Sequence, residues 1–324
     1  MNKVPNEIRM ERTPLGKKFI SSDNTYLLFG LIAFIVVVSL IAPNFATPFN
    51  FSILMEQFAV PGIMAVGMCM LMISGGIDLS VGQQLSFVSC VIALVVKDMD
   101  TAIPGIAIGV AVCIAGSFGM GLLISRTKME PFIVSLGFMA IYKGLANITT
   151  NGAEYPIPGK MGFATDIRWA TLPLMVYIMI AVVIIFFLIL RFTRFGRWLY
   201  AVGDNPEAAF LSGINVKNFK LSMYTINGAL VALATVLMLS RNEVGNPNLG
   251  VDLEMRAIAS AVVGGTALAG GKGNIIGTFL GTIWMGIISN ALNIIGLSSF
   301  FQYVVTGCII IGAVLLNQVR YKNE

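Results

Sequence analysis

This 324-residue chain contains no histidine, and charged residues make up only 11% of it. Without histidine, both a zinc site of the usual kind and a histidine-based catalytic triad are disfavoured. Soluble domains carry about a quarter charged residues, so a chain that is 56% hydrophobic belongs in a membrane. The longest polar segments are 1–25, 149–171 and 191–220, and each is too short to hold a core of its own.

Motifs for metal binding, signal cleavage and nucleotide hydrolysis are also missing. Cys69, Cys90, Cys113 and Cys308 lie in apolar runs without ligand spacing, so we interpret them as small buried side chains. No A-x-A-like site follows the first apolar run, which we expect to remain as an anchor. The glycine-rich segment 262–273 is not a phosphate loop, because Thr266 and Gly273 occupy positions that need glycine and Ser/Thr.

Long apolar runs dominate what is present, and a spanning helix needs about 20 such residues. We predict an all-α integral membrane protein with about ten transmembrane helices, at about 27–42, 51–73, 81–96, 102–124, 131–148, 172–190, 221–239, 255–270, 274–295 and 300–318. The span 131–148 contains Lys143, and 255–270 is short and rich in small residues. Either could be broken or re-entrant, which is tolerated where backbone is buried in protein or lines a cavity.

The distribution of basic residues predicts the orientation. With both termini in the cytoplasm, 15 of the 21 lysines and arginines fall in cytoplasmic segments. We therefore expect a cytoplasmic tail at 1–25, a membrane domain at 26–319 and a second short tail at 320–324. The net charge of +5 follows from this topology, and no nucleic-acid partner is needed to explain it.

The polar loop 191–220 is the most informative segment of the chain. Within it, we predict a short helix over Asp204–Gly213, since Pro206 suits a first helical position and Gly213 a helix end. Asp204 or Asn205 would be the N-cap. A short capped helix between two spans is suited to docking with a partner, and an ordinary solvated loop is the alternative.

Two glycine-rich segments, 74–82 and 262–273, lie within the membrane part. Superposing Gly75 and Gly76 on Gly264 and Gly265 also aligns Gly82 with Gly271, an offset of 189 residues. An internal repeat would leave this coincidence, and chance similarity is the alternative.

The first glycine-rich segment also contains Asp78. This carboxylate, with Ser80, either caps and braces the following helix or acts in gating or substrate passage.

Taken together, the motifs resemble the permease subunits of bacterial ABC importers for sugars. The similar segments are Gly75–Gly82, Gly203–Ala209 with Ser212–Ile214, Ala259–Gly273, and the closing Asn290–Asn293 with Gly296–Tyr303. They occur in order over about residues 27–318. The related branched-chain amino-acid permeases share the fold, and the Gly-Asp-Asn-Pro and Gly-Ile-Asp-Leu-Ser motifs favour a sugar.

The resemblance implies that the chain is a transport subunit and not an enzyme. It would sit in a bacterial plasma membrane with a second permease subunit, a cytoplasmic ATPase and an extracytoplasmic sugar-binding protein. ATP and Mg²⁺ would be used by the ATPase, and this chain would bind no cofactor. Alternating access would move a monosaccharide, with branched-chain amino acids or another small polar solute as the alternative.

A transporter or channel working alone, or a membrane-embedded enzyme, is the competing interpretation. We disfavour both because we count almost no ionisable residues in the spans, with Lys143 as the exception.

Candidate site residues fall into three groups on this basis. The ATPase contact is predicted at Arg197, Gly203, Asp204, Asn205, Pro206, Glu207, Ala208, Ala209 and Gly213. The outward loops 149–171 and 240–254, with Glu154 and Glu243, are predicted to receive the binding protein, or else serve only as connectors. Asp78, Ser80, Asn290 and Asn293 are candidates for the substrate pathway or gate, and helix packing is the alternative for the asparagines.

Overall fold

The computed structural model describes residues 23–42 and 45–321. Thirteen helices form within this part of the chain: α1 Asp23–Ile41, α2 Pro48–Ile73, α3 Val81–Met99, α4 Ala102–Arg126, α5 Pro131–Thr150, α6 Phe163–Asp166, α7 Leu174–Phe192, α8 Arg194–Asp204, α9 Pro206–Leu211, α10 Val216–Asn242, α11 Leu253–Val263, α12 Ile275–Ile294 and α13 Ser299–Tyr321. Four two-residue strands accompany them: β1 Tyr155–Pro156, β2 Arg168–Trp169, β3 Leu172–Pro173 and β4 Val244–Gly245. The expected tail 1–25 lies outside the described residues except for its last three, and the tail 320–324 except for its first two.

The all-α membrane fold with about ten apolar helices is confirmed. Seven helices, namely α2 to α5, α7, α10 and α12, are long and apolar enough to cross a bilayer. Two more, α1 and α13, carry the shorter apolar stretches Thr25–Ile41 and Phe300–Ile309. The protein is therefore a multi-pass membrane protein.

The predicted span 255–270 is broken, which is the alternative left open for it, because its second half is not helical. Helix α11 ends at Val263, and the residues after it form turns until α12 begins at Ile275. Eleven helical residues rise about 16 Å, which is roughly half the hydrocarbon thickness of a bilayer. By contrast, α5 is one continuous helix, and Lys143 lies exposed on its surface.

Helix α2 is the centre of the bundle. Thr47 caps its first turn by accepting a hydrogen bond from the Asn50 amide, and Pro48 follows at the first helical position. Nearly every residue from Phe58 to Ile73 is buried, because α7, α10, α11 and α12 all pack against this helix. Helix α10 also packs along α4, while α3 lies between α4 and α5. The stretch from Phe58 to Ile73 is apolar all round, which suits this buried position.

The bundle has two distinct ends. One end carries α8 and α9 and is called the α9 end below. The other, the strand end, carries the four strands, which pair antiparallel as β1 with β4 and β2 with β3. The first pair joins Tyr155 to Gly245 and so links the loop after α5 to the loop after α10.

Two turns in the bundle have the same hydrogen-bond pattern. After α2, the amides of Ser74, Gly75 and Gly76 donate to Met70, Met72 and Leu71. After α11, the amides of Gly264, Gly265 and Thr266 donate to Ser260, Val262 and Ala261 in the same order. Gly75 and Gly265 both have positive φ, 76° and 86°. The turns therefore correspond at an offset of 190 residues, one more than the offset of 189 predicted from glycine positions.

Candidate functional site

The short helix predicted in the loop 191–220 is present as α9, over Pro206–Leu211. Its N-cap is Asn205, whose side-chain oxygen accepts from the amides of Glu207 and Ala208 at 3.0 Å each. Asp204, the other predicted cap, is instead the last residue of α8. Gly213 has a φ of 86°, and the amide of Ile214 closes the helix end on the carbonyl of Ala209.

A second helix, α8, precedes α9 and was not predicted. Leu199 and Val202 face the bundle and are buried, while Arg197 is exposed and reaches back to the Thr193 carbonyl at 3.3 Å. The Tyr200 hydroxyl donates to the Gly273 carbonyl at 2.8 Å. Burial raises the pKa of Tyr200 to about 12, so the hydroxyl remains a neutral donor at physiological pH.

The α8 C-terminus is packed backbone to backbone against two loops. A Cβ on Gly203 would overlap the Ile73 carbonyl at the end of α2 and crowd the Gly271 amide. That amide already donates to the Ile73 carbonyl at 2.9 Å. Only glycine fits this approach. Gly203 thus joins α8 to α2 and to the glycine-rich loop before α12.

Only one of the two alanines predicted to contact the ATPase is exposed on α9. Ala209 is only 4% exposed and packs within the chain, so it is not free to contact a partner. Ala208 and Glu207 are exposed. The largest apolar exposure is at Phe210 and Leu211, 67% and 84%. These two neighbouring side chains form an exposed apolar tip at the end of α9.

A polar cavity of about 390 Å³ lies toward the strand end, between α2, α10, α11, α12 and α13. Its volume is within the range of small-molecule sites. The hydrogen-bonding side chains on its walls are Gln57, Arg241, Arg256, Ser260, Thr282, Ser289, Asn293, Gln302, Tyr303 and Thr306. Pro61 also lines it and lacks an N–H, so the Gln57 carbonyl lacks the hydrogen bond that the residue four positions later normally donates. The cavity therefore offers neutral donors and acceptors together with two cations.

The two candidate asparagines of α12 lie in different environments. Asn293 lines the cavity, and its side-chain oxygen accepts from Gln302 at 2.6 Å. Asn290 is buried and exchanges two hydrogen bonds, of 3.0 and 3.1 Å, with Asn50 at the start of α2. Asn290 thus holds α2 and α12 together, as packing asparagines do between membrane helices.

Asp78 and Ser80 lie in the interior, away from this cavity. Both side chains are fully buried. One carboxylate oxygen of Asp78 accepts from the amide and hydroxyl of Ser80 at 2.9 and 2.6 Å, and the other accepts from Asn227 at 3.1 Å. Three donors satisfy the buried carboxylate. Through the hydrogen bond from Asn227, the Asp78–Ser80 pair connects the segment between α2 and α3 to the middle of α10.

Glu154 and Glu243 lie at the strand end, where they join the two loops. Glu243 accepts from the amides of Gly159 and Met161 at 2.9 and 3.3 Å, while the exposed Glu154 accepts from Asn246. Between them, the Ile157 amide donates to the Glu243 carbonyl at 2.8 Å. The two loops form one surface, and Glu243 is part of its internal framework.

No group of three metal-ligating side chains occurs in the described part of the chain.

Residues 50–314 match the family model described as the branched-chain amino acid transport system / permease component. The chain belongs to this permease family. The match covers more than half of the sequence, including the cavity, α8 and α9.

Curated relatives match the permease over nearly its whole length. It is 39% identical to the ribose import permease protein RbsC of Bacillus subtilis over 297 residues, 90% of this chain and 91% of the relative. It is 36% identical to RbsC of Escherichia coli over 302 residues, 90% and 93% of the two chains. It is 32% identical to the L-arabinose permease AraH of Escherichia coli over 303 residues, 93% and 92%. No solved structure matches the permease.

Sequence reasoning missed the two cations of the cavity, Arg241 and Arg256, and the acidic neighbour of Arg241, Glu56. Arg256 lies inside the predicted span 255–270, and Glu56 lies inside 51–73. The predicted spans therefore contain ionisable residues besides Lys143. Intramembrane charges usually mark function, and that rule applied directly to the printed sequence would have selected Arg256. Arg241 was treated only as a loop residue, yet it lines the cavity.

Proposed function

We propose that the protein is the membrane subunit of an ATP-binding cassette importer that carries a monosaccharide. The observation that carries the proposal is the nearly full-length similarity to relatives named as ribose and L-arabinose permeases. The polar cavity supports it, because hydroxyl groups are satisfied by amides and hydroxyls of the kind found on its walls. Alternating access would open this cavity to each side in turn.

The ATPase would dock on α9. Phe210 and Leu211 supply an exposed apolar tip, with Glu207 and Arg197 as exposed charges near it. Buried apolar anchors surrounded by polar contacts are the usual pattern at protein interfaces. The α9 end would then face the cytoplasm, as would both termini, and ATP and Mg²⁺ would be used by the ATPase.

Motion of the ATPase would reach the cavity through the Gly203 contact. Helix α8 is continuous in sequence with α9 and touches the end of α2 at Ile73. Helix α2 also supplies Gln57 and Pro61 to the cavity. The same helix therefore runs from the docking end to the substrate cavity.

The remaining partners follow from the same proposal. A second permease subunit would complete the transporter in the plasma membrane of a bacterium. An extracytoplasmic sugar-binding protein would dock on the joined loops of the strand end. Glu154, which is exposed, is the better contact candidate there, because the Glu243 side chain is already bonded to loop amides.

The test replaces the apolar tip of α9 in the full chain. The double variant Phe210→Ser with Leu211→Ser should lose sugar uptake by at least about tenfold and no longer co-purify with the ATPase, because truncation of an interface anchor costs about 2 kcal/mol or more. Ile295→Ser is the matched control, since Ile295 is an exposed apolar residue at the strand end, 53% exposed, and should retain both properties.

The uptake assay also decides the substrate. Radiolabelled pentoses, hexoses and L-leucine are offered to cells carrying the native chain. Import of a sugar and not of leucine supports the proposal, whereas import of leucine alone would favour the amino-acid alternative. Retained uptake and ATPase binding in the double variant would contradict docking on α9.

A further inference from the structure

Arg256 is a cation that the fold does not neutralise. In the described part of the chain, no acidic side chain comes within 4 Å of its guanidinium, and the three ion pairs there are Lys160–Asp100, Arg168–Glu56 and Arg241–Glu56. Asp252 borders the adjoining recess that Arg256 also lines, without forming an ion pair with it. An unpaired charge within a membrane bundle is costly and is usually retained for a function.

The position of Arg256 in its helix adds to that cost. It is the fourth residue of α11, close to the helix N-terminus, where the helix dipole is positive and disfavours cations. The acidic residue of the same turn, Glu254, does not compensate, because it is buried against Gly82 on the neighbouring helix α3. Neither packing nor helix stability accounts for a guanidinium here.

The surroundings of Arg256 indicate what it binds. The cavity walls carry amides, hydroxyls and the aromatic ring of Tyr303, and no carboxylate is among the described residues that line it. Arg241, the other cavity cation, is 3.7 Å from Glu56, so Arg256 is the one without a counter-ion. A solute whose only charge is an ammonium group would therefore meet like charge and find no partner, whereas a diol or a carboxylate would find a planar array of donors. The uncharged amides and hydroxyls on the other walls, and the similarity to sugar permeases, favour the diol.

We propose that Arg256 is a specificity-determining residue that holds an uncharged sugar transiently in the cavity, by donating two hydrogen bonds to neighbouring hydroxyl groups. This rests on the proposed function and adds the group that selects hydroxylated solutes over amines that lack a carboxylate. Sugar hydroxyls compete with water for the guanidinium, so the contact orients the substrate without trapping it.

The first experiment measures the initial uptake of radiolabelled pentoses and hexoses in the native host, with the full chain and its own partners. Arg256→Met should lower uptake by at least about tenfold, since hydrogen bonds to a charged group are the strong ones. Arg256→Lys should also lower uptake, because lysine keeps the positive charge but lacks the planar pair of N–H donors of the guanidinium group. Lys143→Met, which removes a cation from an exposed position of α5 outside the cavity, is the matched control and should transport normally.

The second experiment gives a readout that a structural role would not change. Arg256→Cys is made with Cys308→Ser, since Cys308 is exposed while Cys69, Cys90 and Cys113 are buried. A cationic methanethiosulfonate should restore part of the uptake, an anionic one of similar size should not, and excess sugar should slow both reactions. This variant also keeps the test decisive if Arg256→Met does not reach the membrane.

The outcomes separate the two proposals. Normal sugar uptake by Arg256→Met at native membrane levels, equal effects of the two reagents, or no reaction of the Arg256→Cys variant with either reagent would each overturn the role of Arg256 and leave the importer assignment standing. Import of gluconate but of no neutral sugar would overturn the choice of an uncharged ligand. A native chain that imports no sugar would overturn the proposed function itself.

Discussion

At the scale of single residues, buried polar side chains have structural roles in this bundle. Asp78 is a typical case, because its carboxylate receives all three of its hydrogen bonds from Ser80 and Asn227. Intramembrane acids are usually considered first as gating or proton-carrying groups. The contacts here favour a structural role, in which Asp78 joins the segment after α2 to helix α10. That role needs a hydrogen-bond acceptor more than it needs a negative charge.

This distinction predicts a clear order of effects at Asp78. Asp78→Ala removes every acceptor and should destabilise the protein by about 2–4 kcal/mol. Asp78→Asn should cost much less, because the Asn227 side-chain oxygen is buried without a partner and can accept from the new amide after the Asn227 amide turns over. Thermal melting in detergent and uptake are both measured. If Asp78→Asn lost uptake as completely as Asp78→Ala, the carboxylate charge itself would be required.

At the scale of elements, the sequence predicted helices well where they are long and apolar. It failed for α8, because the polar residues Arg194, Arg197 and Asp204 suggested a loop. The helix forms because its apolar residues recur on one face and pack under the bundle. The span 255–270 was overextended for the opposite reason: small apolar residues continue past Val263, while the turn at Gly264 and Gly265 ends the helix.

The packing of α8 against α2 gives a second prediction. Gly203→Ala places a methyl group against the Ile73 carbonyl, and overpacking of this kind costs about 1–3 kcal/mol. We expect a melting temperature lowered by several degrees and sugar uptake reduced more than ATPase binding, because α9 itself is unchanged. Gly137→Ala is the control, since nothing lies within 4 Å of its added Cβ. Equal melting and uptake in the two variants would contradict a close contact at Gly203.

At the scale of the whole molecule, the fold class and the family were accessible from the sequence, whereas the cavity was not. The cavity combines residues from five helices, and side chains such as Gln57 and Gln302 are 245 positions apart. No local sequence pattern predicts that these distant side chains line one cavity. Asn290 and Asn293 illustrate this limit, because identical residues three positions apart contact different neighbours.

Access to the cavity during transport can be followed at those two positions. In a background carrying Cys308→Ser, Asn293→Cys should react with a membrane-impermeant thiol reagent, because Asn293 is exposed and lines the cavity. Its reactivity should change when ATP is trapped in the ATPase. Asn290→Cys should remain unreactive in every nucleotide state, because it is buried between α2 and α12. Labelling of Asn290→Cys at a similar rate would place the permeation route elsewhere.

Pro61 also divides helix α2 into two segments at the level of the cavity. A proline inside a helix is where helices bend, and the segment from Pro61 to Ile73 is about 18 Å long at about 1.5 Å per residue. A swing of about 10° in that segment displaces its far end by roughly 3 Å, about the diameter of a water molecule. A displacement of that size at Ile73 would therefore appear beside the cavity as a change of angle at Pro61.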